Sequence, residues 1–511
     1  MTRDRRAALL GLAAVGLVGA VPFFVSTTFF GDDHLFLAFA RHVGNPFLPF
    51  VRDLHGGEYY RPLWMLVWWL LARPWTGSLW PFALAALALH TGASLLVGAL
   101  LRGLGRPLTV AASAGVLMFL APQNLAAALW FSATTDLLAT VFVLGALVAL
   151  LRGRRLIAAL AALAAFLSKE SAFVLPLLSA ITLVLRARAV SEDVSRERRR
   201  ALGWQIAPQL ILLAAVCFAR RAVLHGWGGS GDPRAGLAGT TLQIFAGFAQ
   251  TFTGEAVFPP PLAFALGTMI LALTVFAIAW RGRGTGSARW TPLAFAVAAA
   301  APLFAAGWAV GARYYYLPAV GLCWAVAEAL EELGVGAAAR ITLVAVLLLV
   351  GGMQAAERRE EVTSYDRRVA AARRAVVAGL GAGHHVFHVD GGIKDLDLAV
   401  KEDPLLEAGG VLVLGDVPAS FALLTPELEV AAATLAASPP LPPSGAYRFG
   451  DVRVIGLARR GDEPDLDEVL SRFPDLRFIR LRSIPGGRVI ARDLTEEIRR
   501  RLDGGGGGGQ D

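Results

Sequence analysis

The chain has 511 residues, of which 55% are hydrophobic and only 17% charged, with a formal net charge of +8. A soluble chain carries about 25% charged residues, so this charge content and a mean hydropathy of +0.55 exclude an ordinary soluble enzyme and imply a polytopic membrane protein. The isoelectric point near 10.0 would suit a nucleic-acid binder, but most arginines fall in short loops between apolar runs, the positive-inside pattern, and nucleic acid is not an expected partner.

Arg3, Arg5 and Arg6 precede an apolar run longer than a signal-peptide core, so residues 7–28 are expected to be an uncleaved first helix with its N-terminus in the cytoplasm. It delivers an external loop, residues 29–62, in which Phe, Leu and Trp mix with His and Arg. The segment 62–75 is apolar but short and is expected to be interfacial or re-entrant. Further helices are expected at about 79–101, 107–121, 136–151, 156–168, 171–186, 203–219, 261–280, 291–309, 316–332 and 340–355. Arginines mark alternate turns, which gives about eleven spans in a transmembrane domain of residues 1–356. Cys217 and Cys323 both sit inside apolar runs, so no disulfide framework organises the chain.

Beyond residue 356 charge rises, and β-like runs at 386–389, 411–414, 452–457 and 477–481 alternate with helical stretches. A small extracytoplasmic α/β domain is expected over 357–503, followed by a disordered Gly-rich tail, 504–511.

The unusual polar residues gather at the outer ends of the spans. A transporter would place them near the midplane on broken helices, whereas a site at one membrane face suits an enzyme acting on a lipid head group. Asp32 and Asp33 follow the first helix, where a charge is costly unless it reaches water or has chemistry to do. One of them is expected to be a general base for an acceptor hydroxyl, the other structural or metal-binding; on a helix they point about 100° apart, and the sequence does not choose between them. A solvated helix end is the plainer alternative.

Arg61 stands directly before Pro62, a residue at home in the first turn of a helix, so its charge adds to the free N–H groups of a helix N-terminus. With Lys169, one of only three lysines in the chain, and Arg313, it forms an expected cradle for the donor phosphate. Arginine snorkelling to lipid, an aromatic belt at Tyr314 to Tyr316, and a simple Lys169–Glu170 pair are the competing readings. His34, Tyr60, Asp136, Glu170 and Tyr314 are expected to line the cavity or meet the acceptor, although Asp136 could merely complement a helix dipole. His42, His55 and Glu255 are weaker candidates.

In order along the chain stand Gly31-Asp32-Asp33, Tyr60-Arg61-Pro62-Leu63, Trp130 through Thr135-Asp136-Leu137-Leu138, Ser168-Lys169-Glu170-Ser171-Ala172 with Pro176, and Arg313-Tyr314-Tyr315-Tyr316-Leu317-Pro318. The set resembles the GT-C superfamily of integral-membrane glycosyltransferases, nearest to the protein O-mannosyltransferase-like and TMTC-like branch, over residues 1–355. The resemblance implies a polyprenyl-phosphate-linked sugar donor, an external active site, inversion at the anomeric carbon, and a first-loop acid, here Asp32 or Asp33, as base. The TPR-type repeats of the TMTC-like pattern are missing. The expected location is the bacterial inner membrane. A phosphate leaving group needs cationic stabilisation and no second carboxylate acid; no metal or other cofactor is required, and a divalent ion is left open. The acceptor, whether protein, lipid or envelope glycan, is not specified. A flippase for a lipid-linked saccharide and a non-enzymatic scaffold are the alternatives.

Overall fold

The computed structural model describes residues 16–25, 45–52, 59–73, 79–190, 196–226, 236–254, 260–281, 290–306 and 312–379. It also describes Phe29, Asp33, Phe36, Ala40, Glu496 and six strands between residues 385 and 493. The helices are α1 (Gly16–Val25), α2 (Pro62–Ala72), α3 (Trp80–Gly103), α4 (Leu108–Leu120), α5 (Pro122–Ala128), α6 (Thr134–Leu151) and α7 (Arg155–Ser168). They continue with α8 (Leu175–Val190), α9 (Arg196–Leu224), α10 (Gly236–Gln250), α11 (Pro260–Arg281), α12 (Thr291–Ala306), α13 (Tyr316–Glu332) and α14 (Ala337–Gly379).

Six of these segments are long and apolar enough to cross a bilayer, or seven if α4 and α5, bent by 55° at Ala121, act as one. About eleven were expected from hydropathy. That expectation covers the whole chain, whereas the six or seven are counted among the described residues, where segments such as Arg155–Ser168 are apolar but short, here 14 residues. At 1.5 Å per residue such a helix falls short of a hydrocarbon layer of about 30 Å.

α6 is the centre of the bundle. Of its spanning stretch, 78% is buried, against half or less in every other candidate span among the described residues. Its core positions, Ala139, Val143, Leu144, Ala146 and Leu147, are nearly all small or aliphatic. Small residues let helix backbones approach in a membrane, where no hydrophobic force drives them together. Gly321 on α13 carries this furthest: a Cβ there would stand 2.5 Å from the backbone nitrogen of Ala296 and 2.6 Å from the carbonyl of Pro292, both on α12.

After α14 the strands lie near the expected runs. β1 (His385–Val389) pairs in parallel with β2 (Leu412–Leu414) and β5 (Arg477–Ile484), and β5 pairs antiparallel with β6 (Arg488–Asp493). β3 (Gly445–Phe449) and β4 (Val452–Gly456) form a separate antiparallel pair. The Gly-rich tail lies outside the described residues, as do Asp32, His34, His42, His55 and Glu255.

Candidate active site

Four segment ends meet at one end of the bundle. Arg61 occupies the position before α2, with Pro62 opening that helix. Asp136 sits in the first turn of α6. Lys169 is an extended residue (φ −163°, ψ 149°) between α7 and a 3₁₀ turn, Glu170–Val174. Arg313 and Tyr314 lie on a second 3₁₀ turn, Ala312–Tyr315.

The extended backbone at Lys169 decides the pairing. Neighbouring side chains of an extended chain point to opposite sides, so Lys169 and Glu170 are not partners. Lys169 Nζ donates to Asp136 Oδ2 at 2.5 Å, with both side chains buried. Glu170 turns the other way and takes one arginine on each oxygen: Arg61 at 2.8 Å on Oε2 and Arg220 at 2.5 Å on Oε1. Arg220 comes from the last turns of α9, and sequence reasoning missed it as a site member because it read as the ordinary basic end of a span.

Aromatic rings complete the arrangement. The Arg61 guanidinium lies 4.3 Å from the centre of the Tyr59 ring, and Lys169 Nζ 4.9 Å from that of Tyr314. Arg313 stands 4.4 Å over Trp130 and donates to the Tyr314 hydroxyl at 3.1 Å. Cation–π contacts of this kind hold a positive charge without neutralising it. Burial pulls the Lys169 ammonium down to about 8; Asp136 opposes the fall, and Arg61 and Arg313 add to it. The structure thus brings Arg61, Lys169, Arg313, Asp136, Glu170 and Tyr314 into one cluster.

Asp33 lies fully buried beside this cluster. Its Oδ1 accepts from the backbone N–H of Ser132 at 2.6 Å and from the Ser132 hydroxyl. Ser132 precedes α6 by two residues, so the carboxylate faces the N-terminal end of that helix, where negative charge is stabilised. The Tyr60 hydroxyl donates to the carbonyl of Phe50 at 3.1 Å, tying α2 to the first loop. Among the described residues no three His, Cys, Asp or Glu side chains gather as a metal-holding group. Arg61, Lys169 and Arg220 pair with Asp136 and Glu170, while Arg313 lies on Trp130 and Asp33 on Ser132; this excess of cations over carboxylates suits a site for an anion more than for a cation.

No protein-family model matches the chain, and no curated protein does. Among solved structures, ArnT from Cupriavidus metallidurans in the apo state aligns over 97% of this chain and 99% of its own, with a TM-score of 0.54 and 13% identity. The same protein bound to undecaprenyl phosphate aligns over 88% of this chain and 97% of its own, with a TM-score of 0.49 and 14% identity. The likeness is one of fold. The chain shares the overall fold of ArnT. Nothing in the ArnT likeness favours the O-mannosyltransferase-like or TMTC-like branch.

Proposed function

We propose that the chain is an inverting glycosyltransferase that moves a sugar from a polyprenyl-phosphate-linked donor to an acceptor at the extracytoplasmic face of a bacterial inner membrane. The observation that carries this reading is the convergence of Arg61, Lys169 and Arg313, from segments far apart in sequence, on one end of an ArnT-like fold. In this scheme the acceptor oxygen attacks the anomeric carbon as the bond to the phosphate oxygen breaks. The base takes the hydroxyl proton, and the cations hold the charge that develops on the departing phosphate. Glu170 positions Arg61 and Arg220, and Asp136 holds Lys169. Residues 357–503 form the small extracytoplasmic domain of this proposal.

The two first-loop acids then divide the work. Asp33 spends hydrogen bonds on Ser132 and closes the loop onto α6, so Asp32 is the base. Asp32→Asn should lower kcat by about 10²–10⁴-fold with little change in donor KM, the usual contribution of a general base. Asp33→Asn, which keeps an oxygen for Ser132 but loses the charge, should cost less than about tenfold in kcat and lower the melting temperature, in line with a charge at a helix N-terminus. Transfer from an undecaprenyl-phosphate-linked sugar, measured in isolated membranes, separates the two. Full activity of Asp32→Asn would remove the assignment.

A further inference from the structure

A groove of about 390 Å³ runs along the flank of the bundle between α1, the α4–α5 bend and α14. Val21 and Val25 form one wall, Phe119 and Leu125 the floor, and Gly352 and Ala356 the other wall. None of these carries a polar side chain. A Cβ at Gly352 would meet nothing within 4 Å, so the space is open there, and Val21 and Val25 remain about half exposed on the apolar exterior. The lining has one charged member, the exposed Arg359, at the end where α14 leaves its apolar stretch, Ala337–Glu360.

An apolar trough with a cation at its mouth matches an amphiphile with an anionic head, because basic side chains at head-group level attract lipid phosphates. The chemistry continues beyond the mouth. Arg358, the next residue back, stands 6.0 Å from the Trp130 ring, on which Arg313 also lies at 4.4 Å. The groove therefore ends beside the active-site cluster, yet Arg61 and Lys169 take no part in its lining.

We propose that this groove seats one hydrocarbon chain of an anionic phospholipid, its phosphate at Arg359, as a bound lipid separate from the prenyl donor. The proposal does not depend on sugar transfer.

The test places the full-length protein in phosphatidylcholine nanodiscs containing a little phosphatidylglycerol with a diazirine on one acyl chain. Irradiation and peptide mapping should put adducts on residues 16–25 and 347–359. Gly352→Phe, which fills open space, should remove them, and Arg359→Gln, an exposed change that leaves the fold alone, should reduce them about fivefold, the effect of one basic residue on an anionic lipid. An equal yield from a diazirine phosphatidylcholine probe, or no response to Arg359→Gln, would overturn the proposal by showing mere bilayer contact. Displacement of the label by excess undecaprenyl phosphate would overturn it in a different way, assigning the groove to the donor.

Discussion

At the scale of single residues, the joint at Lys169-Glu170 shows what a sequence can and cannot carry. The rarity of lysine singles out Lys169 without any structure, and Glu170 is its obvious neighbour. Only the backbone angles at Lys169 reveal that the two face apart, giving Lys169 to Asp136 and Glu170 to two arginines. The consequence is a lysine whose charge is held by burial balanced against one carboxylate, with its pKa lowered to about 8. An ordinary lysine keeps its proton to about 10.4. Lys169 is charged below about 8 and neutral above it, so a phosphate cradle that needs this charge weakens as pH rises through that value. The profile of kcat/KM for the donor, which reports the free enzyme, should fall by up to about tenfold per unit above pH 8. Lys169→Arg, which stays charged, should flatten that limb while preserving measurable transfer. A wild-type profile level to pH 9.5 would show that the ammonium does not meet the donor. Arg220 marks the opposite limit: a basic residue at a helix end is so common that its pairing with a glutamate 50 residues away leaves no trace in the pattern.

At the scale of elements, hydropathy locates helices well but does not fix their lengths. The expected helix at 79–101 is Trp80–Gly103, and that at 156–168 is Arg155–Ser168, the second too short to span on its own. The 55° break at Ala121 is visible as Pro122, but its angle depends on what α5 packs against, and that is set by remote segments. Close approaches are equally hidden. A glycine at 321 looks like any other small residue in an apolar run, and only the structure shows α12 backbone 2.5 Å from where its Cβ would be. Gly321→Val should therefore force α12 and α13 apart and cost about 1–3 kcal/mol or more, as overpacking does, read as a lower melting temperature in detergent. Gly352→Val, whose Cβ would meet open space, should leave the melting temperature within a degree or two of wild type, an effect near the ±0.5 kcal/mol of a neutral site. Equal losses in the two variants would mean that the effect is one of helix propensity and not of packing.

For the whole molecule, the two ends of the bundle carry different chemistry. α6 begins at the candidate-site cluster and ends at Leu151, beside the turn bearing Arg152 and Arg154, with Arg155 opening α7. The end of α3, with Arg102, and the turn after it, with Arg106, meet the end of α13, where Arg106 pairs with Glu328 at 3.0 Å and Thr109, in α4, donates to Glu331 at 3.1 Å. Both ends set cations against carboxylates and rings; one carries its arginines in short turns with partly exposed pairs, and the other buries Lys169 and Arg220 against their carboxylates. The first pattern agrees with the proposed cytoplasmic face, because short basic loops resist translocation. The second is what an end built to receive an anion requires. Hydropathy and loop charge already contain this asymmetry, whereas the convergence of Arg61, Lys169 and Arg313 appears only once the helices are packed. The orientation can be tested directly in a background with Cys217 and Cys323 replaced by alanine. Val51→Cys, exposed beside the carbonyl that receives the Tyr60 hydroxyl, should react with a membrane-impermeant maleimide in intact spheroplasts. Leu333→Cys, exposed at the arginine-bearing end, should react only after permeabilisation. The reverse result would turn the cluster toward the cytoplasm, where a soluble nucleotide-sugar could reach it, and the lipid-linked donor would lose its rationale.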